Sequence, residues 1–378
     1  MGIKPKSPRE ALQPEPAPGP PPRSRHVRNP FVILTNMAIS LAVFALLAVG
    51  AALYFGKQTF DQPGPLTEDK TVVISSGSGL SGITDRLAAA EVIGDGLINE
   101  WVFNLGVRFY KNETKLKAGE YAFKAGVSMD EVMRDLVEGN AVTHSVTIPE
   151  GWTTAQVLER VREHPVLVGE ITEIPAEGAL LPQTYTFTRG TTRQGVIDDM
   201  KEAQSKLLAE IWDRRVDDLP IETPEELVIL ASIVEKETAK ADERPRVAGV
   251  FVNRLDRGMR LQSDPTILYG LFGGEAWLKD RSAITQSQLQ AENDYNTYQI
   301  DALPPGPIGN PGQAAMEAVA NPSRTRDLFF VADGTGGHVF AETYEQHQAN
   351  VRKWRQIERE RRAAEQERST SGDSVQSN

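Results

Sequence analysis

Thr223–Thr238 reads TPEELVILASIVEKET, and its spacing predicts a helix that starts under a firm cap, runs through a core and ends in charge. Thr223 is placed to cap, Pro224 takes the first helical position, and Glu226 stands where a capping box needs it. Leu227, Leu230 and Val234 recur at steps of three and four and share one face, and Glu237 continues that stripe. Ile229 and Ile233 widen the apolar side toward Glu237, while Glu235 falls roughly 160° and Lys236 about 100° away around the helix. A carboxyl on an apolar stripe is desolvated, which raises its pKa and keeps it protonated, ready to act as a general acid. The same burial suits a structural ion pair with Arg246 or Arg254 of the following helix, and periodicity alone does not separate the two readings. Glu235 is expected on the solvent side, where substitution costs little.

Outward toward the N-terminus, Phe31–Phe55 is a run of 25 residues without a charge. At about 1.5 Å per residue it spans the roughly 30 Å hydrocarbon core of a bilayer. Lys57-Gln58-Thr59-Phe60 follows it and offers no small-residue cleavage site, so a retained transmembrane anchor is expected over 31–55. Residues 1–30 carry six Lys or Arg against two Glu, which places the N-terminus in the cytoplasm and the body outside it. The +4 of that segment leaves −15 for the rest of a chain at −11 overall, a poor match for nucleic acid. With no cysteine there is neither a disulfide framework nor a thiolate metal site. These features fit a single-pass protein of a bacterial inner membrane with a periplasmic body.

The remaining length suggests two domains. Residues 1–30, with PEPAPGPPP at Pro14–Pro22, read as a disordered Pro-rich tail, and 56–69 as a linker. Beyond the linker a unit of short strand, turn glycine and helix recurs around Gly77, Gly126 and Gly151. Ile74, Phe123 and Ile148 stand three residues before those glycines; Ile83, Val132 and Val157 stand six after, and Leu87, Leu136 and Val161 ten after. The step of four is one helical turn, so each pair belongs to one buried face. Ser128 and Thr153 are placed as N-caps. A second helical stretch at 97–110 precedes the strand-like 119–123, giving a βααβ layout over 70–143 similar to LysM carbohydrate-binding modules, with a glycan-binding or a spacer role. Gly77-Ser78-Gly79-Leu80-Ser81-Gly82 matches GxGxxG, but the equivalent turns lack the other glycines and no long βα alternation follows, so it reads as a turn.

The five histidines show no HExxH or paired ligand spacing, and neither a GxSxG elbow nor a GxxxxGK[ST] loop occurs. Carboxylates remain as the natural candidates for chemistry.

Ala231–Thr238 (ASIVEKET), with Glu243-Arg244, VFVNRL at Val250–Leu255, Gly258-Met259, LQSDPT at Leu261–Thr266, YNTY at Tyr295–Tyr298, LPPGPI at Leu303–Ile308, FVADG at Phe330–Gly334 and GGH at Gly336–His338, resembles the endolytic murein transglycosylases, the MltG/YceG-like family. The motifs keep family order from about 145 to 350. The resemblance implies an α+β body with a transglycosylase catalytic domain over 144–355; the charged, Ser-rich C-terminal tail over 356–378 reads by its composition as the end of a helix that finishes in disorder. It also implies lytic cleavage of the MurNAc-GlcNAc β-1,4 bond inside peptidoglycan strands, leaving 1,6-anhydro-muramyl ends and terminating nascent strands.

The family's catalytic glutamate falls on Glu237, the residue that helical phase also selects. No metal and no other cofactor is called for. Gln262, Ser263, Asp264, Tyr295, Asn296, Thr297 and Tyr298 are candidates to bind sugar. Equally, Ser263-Asp264-Pro265 suits a helix cap, and tyrosines suit a core. His338 either touches substrate or ties down its loop. Leu303–Pro311 reads as a rigid wall of the groove. The family often has Asp where this chain has Gln183, which cannot serve as an anionic partner. Peptidoglycan strands are the implied partner, the membrane is met through one helix, and synthases or division machinery are further partners that the family suggests. The rival class is a non-catalytic peptidoglycan-binding scaffold for synthases; a membrane-tethered peptidase lacks a visible nucleophile.

Overall fold

The structure, a computed structural model, describes residues 18–19, 29–275 and 284–373, so the expected disordered tail at 1–30 and the last residues, 374–378, lie almost wholly outside the described residues. Helix α1 (Pro30–Asp61) is followed by β1 (Lys70–Ile74), α2 (Leu80–Ala89), α3 (Leu97–Phe109), β2 (Gly119–Phe123) and α4 (Met129–Glu138). Then come β3 (Thr143–Thr147), α5 (Thr154–Arg162), β4 (Thr184–Thr188), α6 (Arg193–Asp213), α7 (Pro224–Glu237), α8 (Arg244–Asp256) and α9 (Asp264–Phe272). The chain closes with α10 (Gln286–Leu289), α11 (Gln313–Ala320), β5 (Phe329–Ala332), β6 (His338–Ala341) and α12 (Tyr344–Asp373). This is a mixed α+β chain with one N-terminal helix long and apolar enough to cross a membrane. At the other end α12 continues through most of the expected tail.

The chain divides into two compact units. One holds Met1–Val72, Gly79–Leu116 and Phe123–Glu138; the other holds Val73–Ser78, Lys117–Ala122 and Gly139–Asn378. The division runs through β1 and β2, which pair with each other in the order β1-α2-α3-β2. The remaining strands form two further two-stranded sheets, β3 with β4 (Val146 opposite Tyr185) and β5 with β6 (Phe330 opposite Phe340), both antiparallel.

The three turn glycines adopt φ of +78°, +73° and +74°, a conformation that only glycine takes without strain. Their six helical partners, Ile83, Leu87, Val132, Leu136, Val157 and Val161, are all buried. Thr153 caps α5 through a capping box with Gln156, and Ser128 exchanges the equivalent bonds with Glu131.

In the second unit Val146, Ile148, Val157, Val161, Leu180, Ile197 and Met200 fill one core around α5 and the start of α6. A larger core gathers Leu227, Leu230, Val234, Val247, Phe251, Ile308, Met316 and Val319 from α7, α8, α11 and the loop between. Helix α7 is its axis: Leu227 to Val234 are all buried, so the whole circumference is enclosed over two turns. The capping box at Thr223 and Glu226 fixes where it starts.

Leu230 has no exposed surface, and truncation leaves a cavity that packed neighbours fill only in part. Leu230→Ala is expected to cost about 2–5 kcal/mol, read as a lower denaturation midpoint at unchanged m-value.

Candidate active site

Helix α7 ends in Glu235, Lys236 and Glu237, and Thr238 leaves it in extended backbone (φ −142°, ψ 130°). Glu237 remains partly accessible. Its Oε1 accepts from the Ser263 hydroxyl at 2.5 Å. Desolvation raises its pKa to about 7; the Ser263 bond and the charge of Arg254 pull the other way, and Asp264 adds to the rise. Its seat at a helix C-terminus, where the dipole disfavours anions, works in the same direction. Among the described residues no cation forms a salt bridge with it: Arg246 pairs with Asp327 at 2.7 Å, and Arg254 spends its guanidinium on carbonyls.

Ser263 is held by a buried threonine pair. Its N–H donates to Thr297 Oγ1 at 2.9 Å, the Thr266 hydroxyl donates to its carbonyl at 2.7 Å, and the two threonine hydroxyls meet at 2.9 Å. As the residue before α9 it makes no side-chain cap bond, because its hydroxyl is committed to Glu237. The preceding Gln262 has φ +53°, a strained turn pinned by its N–H to the Thr297 carbonyl at 3.1 Å. Arg254, buried, donates to the carbonyls of Arg260, Leu261 and Leu328, and Nη1 lies 3.5 Å from Gln262 Oε1. Tyr298 donates its hydroxyl to Asp264 Oδ1 at 2.7 Å. Five candidates, Gln262, Ser263, Asp264, Thr297 and Tyr298, therefore gather around Glu237 or around the residues that hold it.

The other three fall elsewhere. Asn296 is buried, its amide donating to the carbonyls of Leu289 and Ala291, so it builds the loop. Tyr295 packs its ring 4.9 Å from that of Tyr269. His338 presents Nδ1 to Glu243 Oε2 at 2.7 Å and its backbone N–H to Oε1 at 3.1 Å, fastening the β5–β6 turn to the start of α8. Gln183 is exposed and uses its carbonyl to accept from Ile148 N–H.

Glu235 requires a correction: it is not on a solvent face. Its side chain is 4% exposed, pairs with Arg244 at 3.1 Å and accepts the Gly312 N–H at 2.9 Å; Arg244 also reaches Glu150 at 3.3 Å. The Glu235 side of the helix end is packed against α8 and the 303–312 loop, so that side is enclosed. Burial raises the Glu235 pKa, opposed by the Gly312 bond and Arg244. Lys236, desolvated, is lowered to about 8, with Glu177 and Glu235 opposing the fall. Glu177 accepts from Thr154 N–H at 2.7 Å, from the Tyr269 hydroxyl at 3.1 Å and from the Asn310 amide at 3.2 Å. Asn310 also accepts from Leu180 N–H and donates to the Trp152 carbonyl, each at 3.0 Å, which knits the proline-rich wall to the Gly151 turn. Sequence reasoning gave Lys236, Arg244, Glu177, Tyr269 and Asn310 no site role.

Residues 72–353 match the YceG-like family. The chain belongs to that family. Among similar proteins, the endolytic murein transglycosylase of Streptococcus pneumoniae strain D39 is 33% identical over 365 residues, covering 83% of this chain. This chain spans 64% of that relative's length. A protein of the same name from Bacillus subtilis is 29% identical over 336 residues, 80% of this chain and 89% of the relative. A solved YceG-like structure from Listeria monocytogenes covers 75% of this chain and 98% of its own at 31% identity, with a TM-score of 0.46.

In this YceG-like chain the Glu237 carboxyl has a testable thermodynamic signature. Its folded pKa lies above the ordinary 4.5, so between about 4.5 and 7 the folded state binds more protons than the unfolded one. That contribution to stability is complete below the unfolded value and is lost as pH rises through about 7. Its size is about 3 kcal/mol. Glu237→Gln, which cannot titrate, is expected to gain on the wild type by that amount between pH 5 and pH 8 in denaturant titrations. Ser263→Ala removes the donor that favours the anion and is expected to move the transition to higher pH.

Proposed function

We propose that this chain is a membrane-anchored endolytic lytic transglycosylase. It cuts the β-1,4 bond between N-acetylmuramic acid and N-acetylglucosamine within peptidoglycan strands and terminates growing strands. The observation that carries the reading is Glu237: a carboxyl poised to hold a proton near neutrality, partly accessible, and held by a neutral hydroxyl instead of a cation. Membership of the YceG-like family and relatives named endolytic murein transglycosylase support the substrate class.

The chemistry balances with one residue. Protonated Glu237 gives its proton to the glycosidic oxygen as the bond from the muramyl anomeric carbon breaks. The resulting carboxylate, steadied by the Ser263 hydroxyl, takes the proton of the muramyl 6-hydroxyl as that oxygen closes on the anomeric carbon. The products are a 1,6-anhydro-muramyl end and a free 4-hydroxyl on the other sugar, with Glu237 protonated again and no water added. Asp264 and Tyr298 are positioned to meet the sugar beside the bond, Tyr295 and Tyr269 offer ring faces, and Gln262 and Thr297 hold the turn beneath. His338 and Asn296 serve the framework. Helix α1 is the anchor, with its N-terminus in the cytoplasm and the body in the periplasm. The β1-α2-α3-β2 unit is LysM-like in layout, with a glycan-binding or a spacer role.

With purified sacculi as substrate and mass spectrometry of anhydro-muropeptides as readout, Glu237→Gln is expected to lose at least about 10²–10⁴-fold in rate while staying folded. Glu235→Gln is expected to lose about 1–3 kcal/mol of stability, because the Arg244 pairing weakens, yet to keep its turnover per folded molecule. A folded Glu237→Gln protein cutting at wild-type rate overturns the assignment. Glycan binding by the wild type without anhydro ends favours the scaffold reading instead.

The orientation has its own check. A reporter active only outside the cytoplasm, fused after Asn378, is expected to work; activity of a cytoplasm-only reporter there contradicts the topology.

A further inference from the structure

Helix α3 is apolar on two opposite faces. Phe103 and Val107 point inward and have no exposed surface. On the other side Leu97, Trp101, Leu105 and Phe109 repeat every fourth residue beside Ile98, and all five are between 55% and 80% exposed. Together they cover an arc of about 120°. A soluble domain seldom leaves so continuous an apolar strip in water.

The base of α1 packs on the inward face of the same helix. Phe60 is buried against α3, with its ring 6.4 Å from Phe103 and 6.1 Å from Tyr110. A Cβ on Gly106 would overlap the Phe60 ring, so only glycine there lets the two helices approach this closely. Phe60 is five residues past Phe55, the last apolar residue of the long run, which is about 7.5 Å along a continuous helix. An amphipathic helix lying on a bilayer sits roughly 5–10 Å into the boundary between headgroups and acyl chains. Arg108 falls inside the exposed arc and Lys111 lies two residues past the helix end, both exposed and long enough to reach lipid phosphates. Trp101, Phe109 and Tyr110 supply the aromatic residues that favour this depth.

We propose that the exposed face of α3 is seated in the lipid headgroup layer of the membrane that α1 crosses, so that this unit meets the bilayer through two helices. The occupant is anionic phospholipid, met by the apolar strip with Arg108 and Lys111 at its edge. The proposal rests on reading α1 as the anchor.

Because the chain contains no cysteine, single cysteines can be placed and labelled one at a time in the full-length protein. Leu46→Cys, Leu105→Cys, Phe109→Cys and Asp85→Cys, each carrying an environment-sensitive fluorophore, are reconstituted in phosphatidylglycerol–phosphatidylethanolamine vesicles. Spin-labelled lipids and aqueous iodide serve as competing quenchers. Leu46 reports the anchor and is expected to respond to labels deep in the acyl chains. Positions 105 and 109 are expected to respond to shallow lipid labels at least about twofold more than position 85, and correspondingly less to iodide. If Leu46 escapes lipid quenching, the anchor reading fails and this one falls with it. If Leu46 is quenched but 105 and 109 behave like 85, the anchor stands and the proposal is overturned. Shielding of 105 and 109 from both quenchers means that protein covers the strip, and overturns it as well.

Discussion

Helix α7 is enclosed on every side over two turns, and its ionisable groups past the first turn are confined to its last three residues. A buried chain end must settle each charge separately, and here three adjacent residues receive three different settlements. Glu235 is given a guanidinium and a backbone N–H. Lys236 is desolvated and loses much of its basicity, although the field of two carboxyls opposes the loss. Glu237 is given a hydroxyl. A counter-charge holds a carboxylate ionised, whereas a neutral donor in a desolvated place leaves proton affinity high. Burial raises the proton affinity of both glutamates, and what faces each of them opposes that rise by a different means.

The start and phase of α7 were legible because they are local. Thr223, Pro224 and Glu226 specify a terminus within four residues, and the apolar steps specify a face. The recurrent turn glycines were legible for the same reason: one backbone conformation, one residue type and a fixed spacing to the next helical turn. Both the choice of Glu237 and the error over Glu235 came from the same helical wheel. A wheel puts Glu235 on a wet side, and at the end of α7 that side is taken up, because Arg244 reaches in from α8 and Gly312 from the far loop. Nothing within α7 announces either contact.

The same limit governs the rest of the site. Glu177 to Tyr269 is a separation of 92 residues and Glu177 to Asn310 one of 133, and pairings over such distances leave no periodic trace. Ser263 shows the opposite case, a residue whose neighbourhood was legible but whose hydrogen bond was not. A serine before Asp-Pro suits a helix cap, yet the threonine pair beneath it turns its hydroxyl toward Glu237. Asn296 looked like a sugar-binding amide in a run with two tyrosines, and the carbonyls of a tight loop absorb it instead.

Asn310 gives this architecture a temporal aspect. Its side chain joins Trp152, Thr154, Glu177 and Leu180, all at least 130 positions earlier along the chain, and its backbone closes on the Gly151 turn. Closing so long a loop carries an entropic cost that only the finished set of bonds offsets. Until residue 310 has been synthesised, the Leu180 N–H and the Glu177 carboxyl lack a partner that they share in the finished fold. A chain interrupted before that asparagine holds Glu177, Leu180 and the Gly151 turn without the residue that joins them, so this part of the domain sets late.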